Sequence, residues 1–499
     1  MRHAAVTAAF ALFPSFGFAQ DVTLTSRDGT LSVSGEFRGY DGELYRIETE
    51  YGLLTLDAQA VVCDGPACPD LTQFVAEVRV AGEPGMASRL LDPLLAAFAG
   101  QRGLALRVSG DGVSELVVPA DGRVVARFRF LPASSVEAAD ALRLGRADLA
   151  LAALAEPDLR ARTLGLESLV AIVAPDNPVR QLATTDLARA LSGEVQNWAA
   201  FGGPDRPLVI HALVPDAGFR RALEARLGQA IVSGSDHASL DALDRAVARD
   251  PWGLAVTAGS AVDEARALDL TDSCGFRLQP DPLSVKAEDY PLTQPFFVLT
   301  PKRRLPLIAR EFLDFMATPA AGPAIAQSGL VDRAVDRADL LTDGVRLANA
   351  IRAAGPEVQI DELQRLTRAM EGAQRLSLTF RFEDGARTLD AASRDNLLDL
   401  VRLVDLGAFD EQELIFVGFS DGSGSATANL DLSRDRAELL RQDLAAALSD
   451  GGPAGVALAA DGFGEALPIA CDETPIGREL NRRVELWVRP VTGSQASEN

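Results

Sequence analysis

Gly418-Phe419-Ser420-Asp421-Gly422 has the G-x-S-x-G spacing that lifts a serine hydroxyl out of a sharp strand-to-helix turn for nucleophilic attack. Such a serine needs an imidazole to take its proton, and in folds built on this turn the histidine follows the serine. The chain has three histidines, His3, His211 and His237, all upstream of Ser420. The hydrolytic reading fails on that count. Lys286 and Lys302 are the only lysines, which leaves a lysine catalyst or a phosphate-cradling P-loop almost without candidates. His211 and His237 show no spacing to cysteine or to one another that suggests a metal, so each reads as a surface or core residue. With no nucleophile–base pair and no metal cluster, the expectation is a protein without enzymatic activity, metal or cofactor.

The charge balance narrows the partners. Across 499 residues there are 71 acidic and 48 basic side chains, a formal net charge of −23. Nucleic acid is excluded as a partner, because phosphate contacts need a basic surface, and an anionic bilayer is disfavoured for the same reason. Met1-Arg2-His3, the apolar run Ala4–Phe18 and the small residue Ala19 follow the grammar of a secretory signal, 1–19. Its removal takes away Arg2 and leaves −24, and no later stretch has eighteen uninterrupted apolar residues. Export makes the cysteines readable. Cys63 and Cys68 flank the turn-rich Asp64-Gly65-Pro66-Ala67, which favours a disulfide over free thiols or zinc. Cys274 and Cys471 fall in different predicted domains, and their pairing stays open.

The elements that must position these residues form several blocks. Residues 20–72 read as a small β-rich module, with hairpin signals at Asp28-Gly29 and Asp41-Gly42 and alternation through Tyr45, Ile47, Thr49 and Tyr51. From 75 to 335, strands (Ala76–Val80, Leu104–Val108, Leu149–Ala153, Leu169–Val173) interleave with helices (Leu90–Phe98, Val136–Leu144, Leu182–Leu191), which predicts a mostly parallel sheet. Residues 336–374 read as a helical linker and 375–490 as a second α/β domain, with strand Leu414–Val417 and helix Ser433–Leu448. A flexible tail follows at 491–499. No run of about ten alternating strands, as an outer-membrane barrel would need, precedes the last domain.

In the last domain, Gly418–Gly424, Asn429, Leu432-Ser433-Arg434-Asp435-Arg436-Ala437, Gly462-Phe463-Gly464-Glu465, Pro468, Gly477-Arg478 and Asn481-Arg482-Arg483-Val484-Glu485 follow at fixed intervals. This pattern resembles the OmpA-like peptidoglycan-binding domain over about 115 residues. The resemblance implies capture of diaminopimelate in the peptidoglycan stem peptide, whose free end is zwitterionic. An anion and a cation a few ångströms apart suit such an end. The matching positions are Asp421 for the ammonium and Arg436, expected in the first turn of its helix, for the carboxylate. Asn429 would hold the loop, Ser420 keeps the hydroxyl that the family has before its aspartate and counts with the ligand-binding residues, and Arg482 and Arg483 match the family's paired arginines. Phe419 stands where the family usually has histidine.

The block 75–335 resembles the periplasmic phosphate-binding protein, a two-lobed type 2 solute-binding fold. Its carriers are Leu144–Ala150, Leu169–Val179, Leu191–Trp198, Gly202-Gly203 and Tyr290-Pro291-Leu292. The resemblance places Glu83, Ser109, Asp148, Asp216, Gly218 and Arg220 as cleft-lining candidates. Ala217 and Phe219 occupy positions where phosphate contacts need hydroxyls, and Glu83 and Asp148 would repel a dianion. The cleft is therefore either retuned to another small solute or degenerate and used as a scaffold.

The expected molecule is an α/β and α+β multidomain protein: small N-terminal β module, two-lobed type 2 periplasmic-binding-protein fold, C-terminal OmpA-like α/β sandwich. It would sit in the periplasm of a Gram-negative-type envelope, associated with peptidoglycan and peripheral to the outer membrane. Its partners would be the peptidoglycan stem peptide and a small solute or envelope protein. The alternatives are a structural wall linker and a true phosphate- or anion-binding component of an ABC import system.

Overall fold

Alternating apolar residues make the N-terminal strands Val22–Ser26, Ser32–Tyr40, Leu44–Thr49, Gly52–Asp57 and Val61–Asp64 one-sided, and they pair as an antiparallel sheet. Val22, Leu24, Tyr45 and Ile47 form its core, and Cys63 and Cys68 are joined in a disulfide. The computed structural model describes residues 21–339, 344–354, 358–382, 388–448 and 456–491. The expected signal segment and most of the tail lie outside these residues. The small sheet docks through its Asp41-Gly42 turn: Leu307 N–H donates to the Asp41 carbonyl (2.8 Å), and Arg304 pairs with Asp41 (3.1 Å) and with Glu43.

The central block is built on one sheet that runs through both of its lobes. Ala76–Gly82 lies parallel to Leu149–Ala152 and to Val124–Pro132 in the first lobe, and Val209–Leu213 lies parallel to Ser235–His237 and Gly253–Ala258 in the second. The lobes are joined by two antiparallel crossing strands, Arg160–Val173 and Thr293–Thr300. The sheet is therefore mixed rather than mostly parallel. A crossing pair must run antiparallel to return the chain, and Asp111-Gly112 turns Ala105–Ser109 back into the hairpin strand Val113–Val117. The hinge lies at Glu167-Ser168. Up to Ser168 the first crossing strand pairs with Thr293–Thr300, and from Leu169 onward it pairs with Gly253–Ala258.

Glu167 is buried in this hinge and accepts hydrogen bonds from the Ser260 hydroxyl (2.5 Å) and amide (3.3 Å). Arg89, on the other lobe, donates to the same Ser260 hydroxyl (2.9 Å). Burial pushes the Glu167 carboxyl up to about 7, against the opposing pull of Ser260 and Arg89.

Four of the five strands of the C-terminal sheet lie in the order Gln374–Arg381, Arg483–Pro490, Gln412–Phe419, Ala457–Gly462. Helices Ala391–Asp405 and Ala426–Ala447 cover one face through Leu400, Val404, Leu440 and Leu444. The segment read as a linker covers the other. Leu363, Leu366 and Met370 of helix Ile360–Met370 pack on Val417, Phe419 and Trp487, and Arg337–Ala338 adds the fifth strand, at the sheet edge. None of the sheets among the described residues closes into a barrel, and no helix there is long and apolar enough to cross a membrane.

The C-terminal and central blocks meet through buried charge. Glu485, in the middle strand, is fully buried, ion-paired with Arg483 (2.7 Å), Arg375 (3.3 Å) and Arg346, and accepts a hydrogen bond from the Trp487 indole (3.0 Å). Burial alone would raise its carboxyl, but Arg346, Arg375 and Arg483 hold it far below the carboxylate range. Arg375 also grips Asp289 of the central block (2.7 Å), and Arg381 donates to the Glu288 carbonyl (2.8 Å). A second disulfide, Cys274–Cys471, crosses the same junction, and Asp272 accepts the Cys471 amide (2.8 Å).

Two predictions follow from these buried charges. Asp289→Ala removes one of the two buried carboxylates that Arg375 faces and leaves the cluster around Glu485 with excess positive charge; it is expected to cost about 3–5 kcal/mol in urea unfolding, and a loss near that of a surface pair, below ~1 kcal/mol, would contradict this. The raised Glu167 carboxyl binds its proton more tightly folded than unfolded, so its contribution to stability is complete below pH 4.5 and is lost as pH rises through about 7. Glu167→Gln is expected to flatten the fall in the urea midpoint across that window, by an amount on the order of 3 kcal/mol in stability. Parallel pH profiles for variant and wild type would refute the assignment.

Candidate functional site

The Asp421 loop is fixed by close backbone approach. Gly418 and Gly462 are paired on adjacent strands; a Cβ on Gly418 would sit 1.9 Å from the Ser433 carbonyl, and one on Gly462 would sit 2.4 Å from the Arg434 amide. With no side chain at either position, the helix backbone lies directly on the sheet at residues 433–434, and this sets where Arg436 stands. The helix itself begins at Ala426, capped by the Ser425 hydroxyl accepting the Ala428 amide (3.3 Å). Arg436 is therefore well inside Ala426–Ala447 and not in its first turn, so helix-start N–H groups do not assist it. The cap signal at Ser425 lies inside the Gly/Ser-rich run 422–425, which reads as loop.

Asp421 is nearly buried. Its carboxylate accepts from Arg482 Nη1 (2.8 Å) and from the Ser423 amide (3.1 Å). Arg436 is half-buried with its guanidinium 5.3 Å over the Phe382 ring, and its Nη1 has no hydrogen-bond partner among the described residues. Burial and the neighbouring Arg482 push the Arg436 pKa down, and Asp421 pulls it up. The structure thus brings Asp421, Arg436 and Arg482 together as one anion beside two cations, with one cation incompletely bonded. An incoming carboxylate would complete Arg436, and an ammonium could share Asp421.

The surrounding residues hold this loop. Asn429 donates to Glu465 (2.7 Å), the Gly422 amide donates to Asp472 (2.7 Å), and Asn481 ties Asp472 (2.7 Å) to the Ala470 carbonyl (2.7 Å). Ser420 is buried, its amide bonded to the Gly464 carbonyl (2.9 Å) and its Oγ without a hydrogen-bond partner among the described residues. Phe419 stacks under Arg483 (4.3 Å), which is buried and donates to the Leu467 carbonyl (2.8 Å), so both are structural. Glu465, Asp472 and Asn481 were missed as loop-holding residues, although Glu465 and Asn481 lie inside the motif itself. A pocket of about 460 Å³ beside the loop is lined by Cys274 and Phe276 of the central block, Ala350 of helix Gly344–Ala353, Ala354 just after it, and Pro468 and Asp472.

The six cleft candidates separate. Glu83 follows the C-terminal end of strand Ala76–Gly82 and accepts the Gly218 amide from the other lobe (2.5 Å), with Asp216 exposed close by. Ser109 sits at the rim, as the last residue of strand Ala105–Ser109, donating to Asp111 (2.6 Å) and lining a cavity of about 250 Å³ with Pro84 and Gly85. Asp148 does not line the cleft. It precedes strand Leu149–Ala152, at the end opposite Glu83, where Arg79 (3.1 Å) and Arg303 (2.7 Å) clamp it. Burial would raise its carboxyl, but both guanidiniums hold it below the usual range. Arg220 is also withdrawn: it is buried and spends its donors on the Leu213 and Ile231 carbonyls, Asp236 and Glu224.

The two histidines, read as unrelated, are neighbours. Parallel pairing of Val209–Leu213 with Ser235–His237 puts His211 Nδ1 3.0 Å from His237 Nε2, and His211 Nε2 lies 3.0 Å from Asp250. This is a linear chain; among the described residues no group of three His, Cys, Asp or Glu side chains is arranged to hold a metal ion.

Comparison with known proteins bears on both blocks. The chain is 39% identical over 90 residues to the peptidoglycan-binding protein ArfA of Mycobacterium tuberculosis, a match covering 18% of this chain and 26% of that protein. It is 29% identical over 110 residues to the probable lipoprotein YiaD of Escherichia coli, covering 22% of this chain and 48% of that protein. The chain thus spans about a quarter to a half of these relatives' lengths. Among solved structures, an ABC-type phosphate transport receptor from Vibrio cholerae aligns with a TM-score of 0.41 and 19% identity, over 52% of this chain and all of that one. A phosphate ABC transporter substrate-binding protein from Clostridium perfringens gives 0.40 and 17%, over 51% of this chain and 99% of that one. The family model described as the PBP superfamily domain matches residues 75–320. The central block of this chain is a PBP superfamily domain over residues 75–320.

Proposed function

We propose that this is an exported envelope protein that binds peptidoglycan non-covalently through an OmpA-like C-terminal domain and carries its PBP-like domain on that anchor. The observation that carries this reading is the half-buried Arg436, whose Nη1 has no hydrogen-bond partner among the described residues, beside the Asp421 carboxylate. A guanidinium buried without a full complement of acceptors is costly, and a ligand carboxylate repays that cost on binding. The diaminopimelate end of a stem peptide supplies the carboxylate and, for Asp421, the ammonium. The partial similarity to a peptidoglycan-binding protein supports the same ligand. Two disulfides and a solute-binding type of domain suit an oxidising envelope compartment, the periplasm of a peptidoglycan-bearing cell.

The test is sedimentation with purified peptidoglycan. Wild type is expected in the pellet, and Asp421→Ala and Arg436→Ala are each expected to lose at least tenfold in retention, about 1.4 kcal/mol or more. Arg482→Ala, which frees Asp421 from its internal partner, is expected to bind more weakly but to remain detectable. Equal retention of wild type, Asp421→Ala and Arg436→Ala would overturn the reading.

A further inference from the structure

The helix Gly218–Leu227 begins without any capping of its own. Its N-cap is Ala217, which has no acceptor to offer, and its first turn has no acidic residue. A helix start in this state presents unbonded N–H groups and the positive end of the helix dipole. The acceptor that meets it comes from the other lobe. Glu83 reaches across and takes the Gly218 amide at 2.5 Å. The approach is close: a Cβ on residue 218 would stand 2.9 Å from Glu83 Oε1 and 3.3 Å from the Ser135 Cβ, so a larger residue there would push the carboxylate aside. Ser135 opens the helix Ser135–Arg143 of the first lobe. Three segments, 82–85, 133–135 and 216–218, therefore converge from both lobes on one carboxylate.

Among the described residues that carboxylate pairs with no cation. Burial and the Asp216 charge push the Glu83 carboxyl up, and the Gly218 N–H is what opposes them. The nearest conserving arrangement in chemical terms is a bound anion: a carboxylate desolvated between two lobes and anchored on a helix N-terminus. The clamp is reinforced at the hinge, where Arg89 of the first lobe and Glu167 share Ser260 of the second.

We propose that Glu83 is an internal latch that fills the cleft in place of an anionic solute and holds the two lobes closed. The central domain is then a closed body with no free solute in it, and an oxoanion reaches the helix start only when the Glu83 side chain is removed. This goes beyond the wall-binding reading and does not depend on it.

The experiment compares full-length wild type, Glu83→Gln and Glu83→Ala by hydrogen exchange over residues 217–221 and by thermal shift with inorganic phosphate. Wild type is expected to protect the Gly218 amide and to show no phosphate response. Glu83→Gln keeps an amide oxygen for Gly218 and is expected to retain protection. Glu83→Ala is expected to lose at least tenfold in protection at Gly218, with exchange in strand Arg160–Val173 unchanged, and to gain a saturable rise in melting temperature with phosphate. Unchanged protection in Glu83→Ala would overturn the latch. So would a phosphate response in wild type as large as in the variant, or the absence of any response in Glu83→Ala.

Discussion

Glu485 is an ionised carboxylate in the middle of a β-sheet, out of reach of water, and the arrangement of the C-terminal half follows from the need to neutralise it. Arg483, Arg375 and Arg346 converge on it. Burial pushes the Arg483 pKa down to about 10, which measures how little solvent helps. Arg375 in turn reaches Asp289, so the charge balance of one domain is completed by a residue of the other. Buried ion pairs add little net stability but are intolerant of mismatch, so this network specifies how the two blocks mate. The Cys274–Cys471 disulfide crosses the same junction, and Asp472, one residue on, holds the Gly422 amide next to Asp421. The candidate wall site is therefore positioned from the central domain as well as from its own sheet.

The two candidate sites differ in what they leave unsatisfied. At the cleft, the one anchoring N–H is already paired with an internal carboxylate, and the arginine nearest in sequence, Arg220, is fully spent. At the candidate wall site the anion is paired with Arg482, while the second cation, Arg436, has a buried Nη1 with no hydrogen-bond partner among the described residues. A binding site needs such an open valence, and a closed clamp does not. The net charge of the chain bears on neither case, because both depend on charges a few ångströms apart inside partly buried surroundings.

Local features were legible in the sequence. The Asp41-Gly42 turn, the Cys63–Cys68 spacing and the alternation through Tyr45 and Ile47 are short-range patterns and appear as strands, a turn and a disulfide. The lack of hydroxyls at Ala217 and Phe219 was also legible, although Glu83, which meets this helix start, was read only as repelling a dianion. What failed was longer in range. Asp148 has the right residue type but stands at the wrong end of its strand, which a motif cannot show. The helix start at Ser425 was hidden in a Gly/Ser-rich run, so Arg436 was placed a few turns too early. The contacts His211–His237, Cys274–Cys471 and Arg375–Asp289 arise from strand pairing or domain docking and leave no trace in local spacing.

The central claim is that Asp421 and Arg436 form a site for a zwitterionic amino-acid end, and a calorimetric titration tests it most directly. Full-length protein would be titrated with a stem tripeptide ending in diaminopimelate, and separately with the same peptide ending in lysine, which keeps the side-chain ammonium and lacks the carboxylate beside it. The account predicts saturable binding of the first and at least tenfold weaker binding of the second, because Arg436 gains an acceptor only from that carboxylate. Equal affinity for the two peptides, or no binding of either, would contradict it.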